Sequence, residues 1–477
     1  MASVGKLYFI NLGKGGTFHK SGGVKSSPSD VDSIAKGISE KNIEKVVIHF
    51  HGGLVSEAAG METAYGMEEL YTEGDLAHPV SVVWETGLVE TIKQNMSSIS
   101  NTKLFKKLLK YLLKVVSKHL GVDGARGPGK GISYEEIGAE LDLDAPFRNQ
   151  DALVGSAGAR GAATGFQNED SLRDQLYAEL EEEIESDPQL KTLLKAEGGN
   201  LSPASTPGAK GIFSTAALLK SLAAIAFRVI SRFLKSRDHG FYPTVMEELL
   251  RELSLDDLGA HVWGAMKSKA ESMWKDNAGR HGDDLYGGSY LLDKLLLLQK
   301  GNPALKIDLV GHSAGSIAIC HLLKVKAVSY PDLKIRNITF LAPACTTELF
   351  HDELVSKQDR FEKFRMFTMH DKFETEDQLV KRIYTRSLLY FISGVLEPDE
   401  VDMPLAGLEL HSRGNFPYQS EKQLAVSSFL REVGGKRLVL SVTDDSAPAG
   451  FRSKSEHHGD FDDDLQTRGS LRHLVKG

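Results

Sequence analysis

Seven short, branched, apolar runs divide this chain into two blocks, and that division limits the available folds more than any other feature. Three runs, at residues 6–12, 45–50 and 80–85, lie near the start. Four more, at 306–310, 338–341, 364–368 and 437–442, lie late. Each is short, bounded by Gly, Asp or Glu, and followed by helical or loop sequence, which is the texture of strands buried on both faces. The alternation predicts an α/β fold with a mostly parallel central sheet and helices on both sides.

Between the blocks the strand texture disappears, so residues 88–286 read as a large helical cap or lid inserted into a core made of 1–87 and 287–477. Two stretches of the insertion, 151–165 and 198–211, are rich in Gly, Ala, Ser and Pro and too poor in large apolar groups to offset their ordering entropy. They are expected to be flexible loops. They flank an acidic helical stretch, 170–197, in which Leu172, Leu176, Leu180 and Ile184 recur at helical spacing. Residues 104–120 form a basic amphipathic pattern, with Leu104, Leu108, Leu112 and Val115 on one face and Lys107, Lys110, Lys114 and Lys118 on another. Residues 212–235 are more apolar, but Lys220 and Arg228 break the run short of a membrane span. These helices have two uses open to them: packing against the core or each other, or a lid and peripheral membrane contact, since cations beside an exposed apolar stripe favour anionic headgroups.

Composition removes several function classes. With 477 residues, 41% apolar and 26% charged, the chain can bury a large core, and its net charge of -8 supplies no basic field for a nucleic acid. Two cysteines, Cys320 and Cys345, are too few for a disulfide scaffold or a cysteine zinc site. Residues 1–9 lack the pattern of a secretory signal, and a cytoplasmic protein is expected. His239, His261 and His281 lack metal-ligand spacing. Residues 124–131, GARGPGKG, come close to a phosphate-binding P-loop, but Gly131 replaces the required Ser or Thr and no strand precedes it. Residues 13–16, GKGG, read as a turn. No metal and no cofactor are expected.

The chemistry-bearing pattern is Gly311-His312-Ser313-Ala314-Gly315, directly after the run at 307–310 and before a helical stretch. Strand, sharp turn and helix around G-x-S-x-G form a nucleophile elbow, in which small residues two before and two after the serine permit a strained turn. The elbow also places the Ala314 N–H at a helix N-terminus, where it can meet a developing oxyanion. A second segment, His51-Gly52-Gly53-Leu54, follows the run at 45–50. A third, Ser455 to Phe461, reads SEHHGDF after the last run.

Together these three segments resemble the α/β-hydrolase superfamily of serine hydrolases, over residues 1–87 and 287–477, and leave the insertion unplaced. The resemblance implies Ser313 as nucleophile and an oxyanion hole from the N–H groups of Gly53 and Ala314, with Leu54 as the neighbour able to replace Gly53. It places the acid after the strand at 364–368, at Asp371, with Glu374 and Glu376 as weaker choices. It makes His458, before Gly459 and close to Phe461, the base, with His457 as its rival. The acidic run Asp462, Asp463 and Asp464 reads as a solvated turn. The function so implied is hydrolysis of carboxylic esters, of lipid or other acyl substrates, through an acyl-enzyme. An amidase, thioesterase or acyltransferase would use the same residues, and a catalytically silent hydrolase fold could serve as a binding or membrane-interaction module.

Overall fold

All seven apolar runs are strands, and they form one sheet. They are β1 (Phe9–Leu12), β2 (Lys45–Phe50), β3 (His78–Trp84), β4 (Lys306–His312), β5 (Asn337–Leu341), β6 (Lys363–Met369) and β7 (Leu438–Ser441). The order is β1-β3-β2-β4-β5-β6-β7, and every pairing is parallel. A fully parallel sheet needs cover on both faces, which explains why Val46, Val47, Ile48, Val80, Val82, Ile307 and Leu309 are all buried. The computed structural model describes residues 4–20, 22–53, 55–84, 89–120, 169–197, 215–252, 255–398, 401–432 and 434–477. Leu54, the near-P-loop at 124–131 and the loops expected at 151–165 and 198–211 lie outside the described residues.

The chain forms two compact units. Unit 1 comprises 1–89, 262–377 and 404–477; unit 2 comprises 90–261 and 378–403. The division differs from the sequence boundaries at two places: residues 262–286 go with the sheet, and 378–403, between β6 and β7, go with the helical unit. Trp274 shows why the first shift occurs. Its ring packs 5.8 Å from that of Phe50 on β2, and its Nε1–H donates to the Ala318 carbonyl.

In unit 1, helices Glu57–Thr72 and Leu465–Lys476 cover one face of the sheet. Met67, Leu70, Tyr71, Leu471 and Val475 close there on Val47, Val310, Phe367 and Val439 in a single apolar cluster. Helix Gly315–Ser329 covers the other face, with Ile319 against Gly311. The course of the chain reverses at the sheet's middle: β2 leads to β3 on one side, whereas β4 leads to β5 on the other. A parallel sheet opens a crevice at such a switch point, at the carboxyl ends of its strands. The turns after β2 and β4 flank it.

Unit 2 is helical. Its helix Lys103–His119 buries Leu104, Phe105, Leu108, Leu112, Val115 and Val116 against other helices of the unit. Three lysines of its basic face pair with the acidic stretch: Lys107 with Asp187 at 2.6 Å, Lys118 with Glu179 at 3.2 Å, and Lys114 with Glu183. The stripe that suited a membrane surface in sequence is therefore spent inside the unit. Among the described residues, no helix is long and apolar enough to cross a membrane. A buried ionic network adds to the packing. Arg232 reaches Glu247 at 2.7 Å and Glu248 at 3.3 Å, and His239 lies between Glu247 at 2.8 Å and Asp402 at 2.9 Å. Burial raises the Glu247 pKa, but His239 and Arg232 outweigh it and hold the carboxyl at about 2.

Candidate active site

The backbone of Ser313 is strained in the way a nucleophile elbow demands. Its φ is +48°, a left-handed conformation that costs a residue with a Cβ roughly 1 kcal/mol or more. Both flanking glycines are sterically required. A Cβ on Gly315 would lie 2.2 Å from the Phe50 carbonyl oxygen, and one on Gly311 would lie 2.8 Å from Ile319 Cδ1 and 2.9 Å from the Gly315 backbone. Hydrogen bonds then fix the turn: the Ser313 N–H donates to the Leu341 carbonyl at 2.8 Å, and the Ser313 carbonyl accepts from Ser316 Oγ at 2.6 Å and the Ala344 N–H at 3.1 Å. Helix Gly315–Ser329 starts immediately, with Ala314 at its N-cap.

The HGG turn abuts this elbow. A Cβ on Gly53 would come within 2.6 Å of Ala314 Cβ, and one on Gly52 would lie 3.5 Å from Ser313 Cβ. His51 orients the turn. Its Nε2 accepts from the Trp84 N–H at 3.1 Å, so the proton sits on Nδ1, which donates to the Gly52 carbonyl at 2.6 Å. In a trans peptide the N–H points opposite to the carbonyl, so holding the Gly52 oxygen toward His51 turns the Gly53 N–H away from it. Burial lowers the His51 pKa to about 4, and the ring stays neutral as this arrangement requires.

Around the elbow lies a buried histidine cluster organised by one carboxylate. Asp462 is 6% exposed. It accepts from His312 Nδ1 at 2.7 Å and His49 Nε2 at 3.2 Å. The second nitrogen of His312 donates to the His458 carbonyl at 3.0 Å. Both of its nitrogens thus carry protons. Burial disfavours the imidazolium, but the Asp462 charge and hydrogen bond outweigh it and raise the His312 pKa. The two histidines in turn hold the Asp462 carboxyl well below the usual range against the opposing effect of burial. The solvated turn expected for 462–464 is thereby corrected: Asp462 is a buried anion, and Asp464 caps helix Leu465–Lys476 through the N–H groups of Gln466 and Thr467. His312 and His49 are not legible as site residues in the sequence because each reads as one more residue of a strand. The available signal was their placement on one face of adjacent strands, in register with a late acidic run.

The late histidines part company. His458 is 6% exposed, and neither ring nitrogen has a hydrogen-bond partner. The hydrogen bond expected between Ser313 and His458 is absent. The His458 ring lies 5.5 Å from that of His312, the residue before Ser313. Burial and the neighbouring His312 charge push its pKa down to about 3, so it is a neutral imidazole with an open lone pair. His457 is largely exposed, and its Nδ1 lies 3.0 Å from Asp377 Oδ1, a contact that raises its pKa.

Asp371 is brought to neither histidine. Its own N–H donates to Glu409, and it opens the short helix Asp371–Glu376. That helix carries the chain onward and delivers Asp377 at its end, where Oδ2 accepts the His458 backbone N–H at 2.9 Å. The carboxylate that reaches the histidine loop from the end of β6 is therefore Asp377, six positions beyond the one expected. Glu374, a weaker choice in the sequence, is buried within the same helix.

Comparison with known protein families, with curated proteins and with solved structures gives no match to this chain.

Proposed function

We propose that this protein is a serine hydrolase of the α/β-hydrolase type that cleaves carboxylic esters, with Ser313 as nucleophile. The observation that carries the reading is Ser313 in a left-handed backbone between two glycines that admit no side chain, at the switch point of a parallel sheet. In this mechanism His458 removes the Ser313 proton as Oγ attacks the acyl carbonyl. The oxyanion faces the N–H groups of Gly53 and Ala314, each such donor being worth roughly a hundredfold to a thousandfold in rate. His458 then protonates the departing alkoxide, and water, deprotonated by the same ring, releases the acid. Lipid or other acyl esters are the substrate class. Catalytic hydrogen bonds often form only with substrate in place, so the lack of a Ser313–His458 hydrogen bond is compatible with this chemistry.

Ser313→Ala is expected to abolish labelling by a fluorophosphonate probe and hydrolysis of p-nitrophenyl esters while leaving the urea midpoint close to wild type. Persistent labelling of the folded variant rejects Ser313.

The pH profile identifies the base. With His458 held near 3, the second-order labelling rate stays flat as pH falls from 8 to 5, because the lone pair remains available. With His457, whose pKa lies above 6.5, the rate drops as pH falls through that range. His458→Ala should lower the rate by about a hundredfold or more and His457→Ala by little.

The unpartnered His458 ring and the displaced Asp371 also favour a second reading, a silent hydrolase fold that binds acyl compounds without cleaving them. Wild-type protein that binds an ester saturably, neither hydrolyses it nor takes the probe, fits that reading and defeats the first.

A further inference from the structure

A cavity of about 240 Å³ opens in unit 2, beside the end of helix Val89–Ser100, the first turns of helix Lys103–His119 and the tight turn at 380–384. Phe105, Leu109 and Tyr242 give it a buried apolar floor, and the Tyr242 hydroxyl is occupied by donation to the Ile383 carbonyl at 3.0 Å. Its rim carries Lys106, Lys381 and Arg382, and none of its lining residues is acidic.

Several cations of the unit are already paired, though Lys103 and Lys110 of the helix that carries Lys106 have no ion-pair partner among the described residues. Lys107, Lys114 and Lys118 of the same helix each meet a carboxylate, as do Arg228, Arg232 and Arg237. Among the described residues, Lys106, Lys381 and Arg382 have no ion-pair partner. Arg382 is held in position by a left-handed backbone with φ +66° and by donation of its N–H to Gln378 Oε1 at 3.0 Å. A second observation is independent of charge. Ser100 lines the cavity, is 8% exposed, and its Oγ has no hydrogen-bond partner. A buried hydroxyl without a partner costs stability unless something else supplies one.

Three unanswered cations, a waiting hydroxyl and an apolar floor describe a site for a small anion with an organic portion. We propose that this cavity binds a phosphoester, with the phosphate among Lys106, Lys381, Arg382 and Ser100 Oγ and the organic part on Phe105 and Leu109. A dianion matches a set of three cations better than a carboxylate does, and the arginine fork suits phosphate oxygens. The first turn of a seventeen-residue helix adds its positive end to the same site. The volume suits a headgroup or a small soluble ester rather than a drug-sized molecule. This inference does not rest on the role of Ser313.

Calorimetry on the full chain tests it, with inorganic phosphate and phenyl phosphate as soluble probes and vesicles of phosphatidic acid in phosphatidylcholine as the lipid source. Phenyl phosphate is expected to bind saturably and about tenfold more tightly than inorganic phosphate, through the apolar floor. The double variant Lys381→Ala, Arg382→Ala should weaken it by about tenfold or more, and Ser100→Ala by a smaller factor. Displacement of phenyl phosphate by phosphatidic acid vesicles, but not by phosphatidylcholine alone, assigns a lipid headgroup; retention assigns a soluble ester. Absence of saturable binding by either soluble probe overturns the proposal. So does equal binding by the double variant, or loss of binding in Ser313→Ala, which would put the probe at the elbow.

Discussion

Gly315→Ala is expected to cost at least about 3 kcal/mol of stability, the upper end of what overpacking a tight interior usually costs, and to remove fluorophosphonate labelling from whatever folded protein remains. The magnitude follows from what the new methyl group would meet. Its position is 2.2 Å from the Phe50 carbonyl oxygen and 2.9 Å from the Phe50 carbonyl carbon and Cβ. A side chain could rotate away, but this obstacle is the backbone of a central strand paired on both sides. Relief requires the elbow to move off β2, which would take Ser313 from the neighbourhood of the Gly52-Gly53 turn. Gly459→Ala in the histidine loop is the control: nothing lies within 4 Å of the added methyl and its φ is ordinary, so a change within about 0.5 kcal/mol is expected. Urea unfolding of both variants makes the comparison. A Gly315→Ala midpoint equal to wild type would show that the turn is not clamped against β2, and the argument that packing holds Ser313 in its strained backbone would fail with it.

The same contacts explain what the sequence could and could not reveal. Strands buried on both faces are written as continuous branched apolar runs, so all seven were legible, and a G-x-S-x-G after the central one marked the elbow. Their ends were less so. β1 starts at Phe9 rather than at residue 6 because a turn, closed by the Tyr8 N–H on the Gly5 carbonyl, takes up the preceding residues. Residues 262–286 read as part of the insertion because helical sequence carries no mark of which core it joins; Trp274 reveals its allegiance only by lying on Phe50. Asp371 is not brought to the late histidines for a related reason. A rule that places the acid just past the strand end assumes a loop, whereas residues 371–376 wind into a helix, and it is Asp377, beyond that helix, that meets the His458 N–H. Asp462 was hidden by its neighbours, since three consecutive aspartates look like a solvated turn. What separates them is that the short helical turn at His458–Asp462 directs one carboxylate inward, toward histidines contributed by β2 and β4.

Asp462→Asn should destabilise the protein by about 3–5 kcal/mol near neutral pH, the usual cost of removing one member of a buried charge pair. The amide nearly preserves the shape, so packing changes little and the effect is electrostatic. The pH dependence of the difference between the two proteins identifies its source, because every group away from the site cancels. In the wild type the His312 pKa is raised above 6.5, so its contribution to stability is complete below 6.5 and fades as pH rises through the folded value. The Asp462 pKa is held below 3.8, so its contribution is present throughout the neutral range and is lost only in strong acid. In the variant the carboxylate bonded to His312 is gone and only the His458 carbonyl and the weaker influence of Asp463 oppose burial, which lowers the His312 pKa instead, so stability falls as pH drops below 6.5. The gap between the proteins is therefore widest in mild acid and narrows toward pH 8. Unfolding in urea at several pH values from 5.5 to 8.5 measures it. A gap that is constant across that range would mean that His312 carries no charge in the folded protein. The pair would then be an ordinary hydrogen bond, and the residue preceding Ser313 would place no positive charge beside the serine.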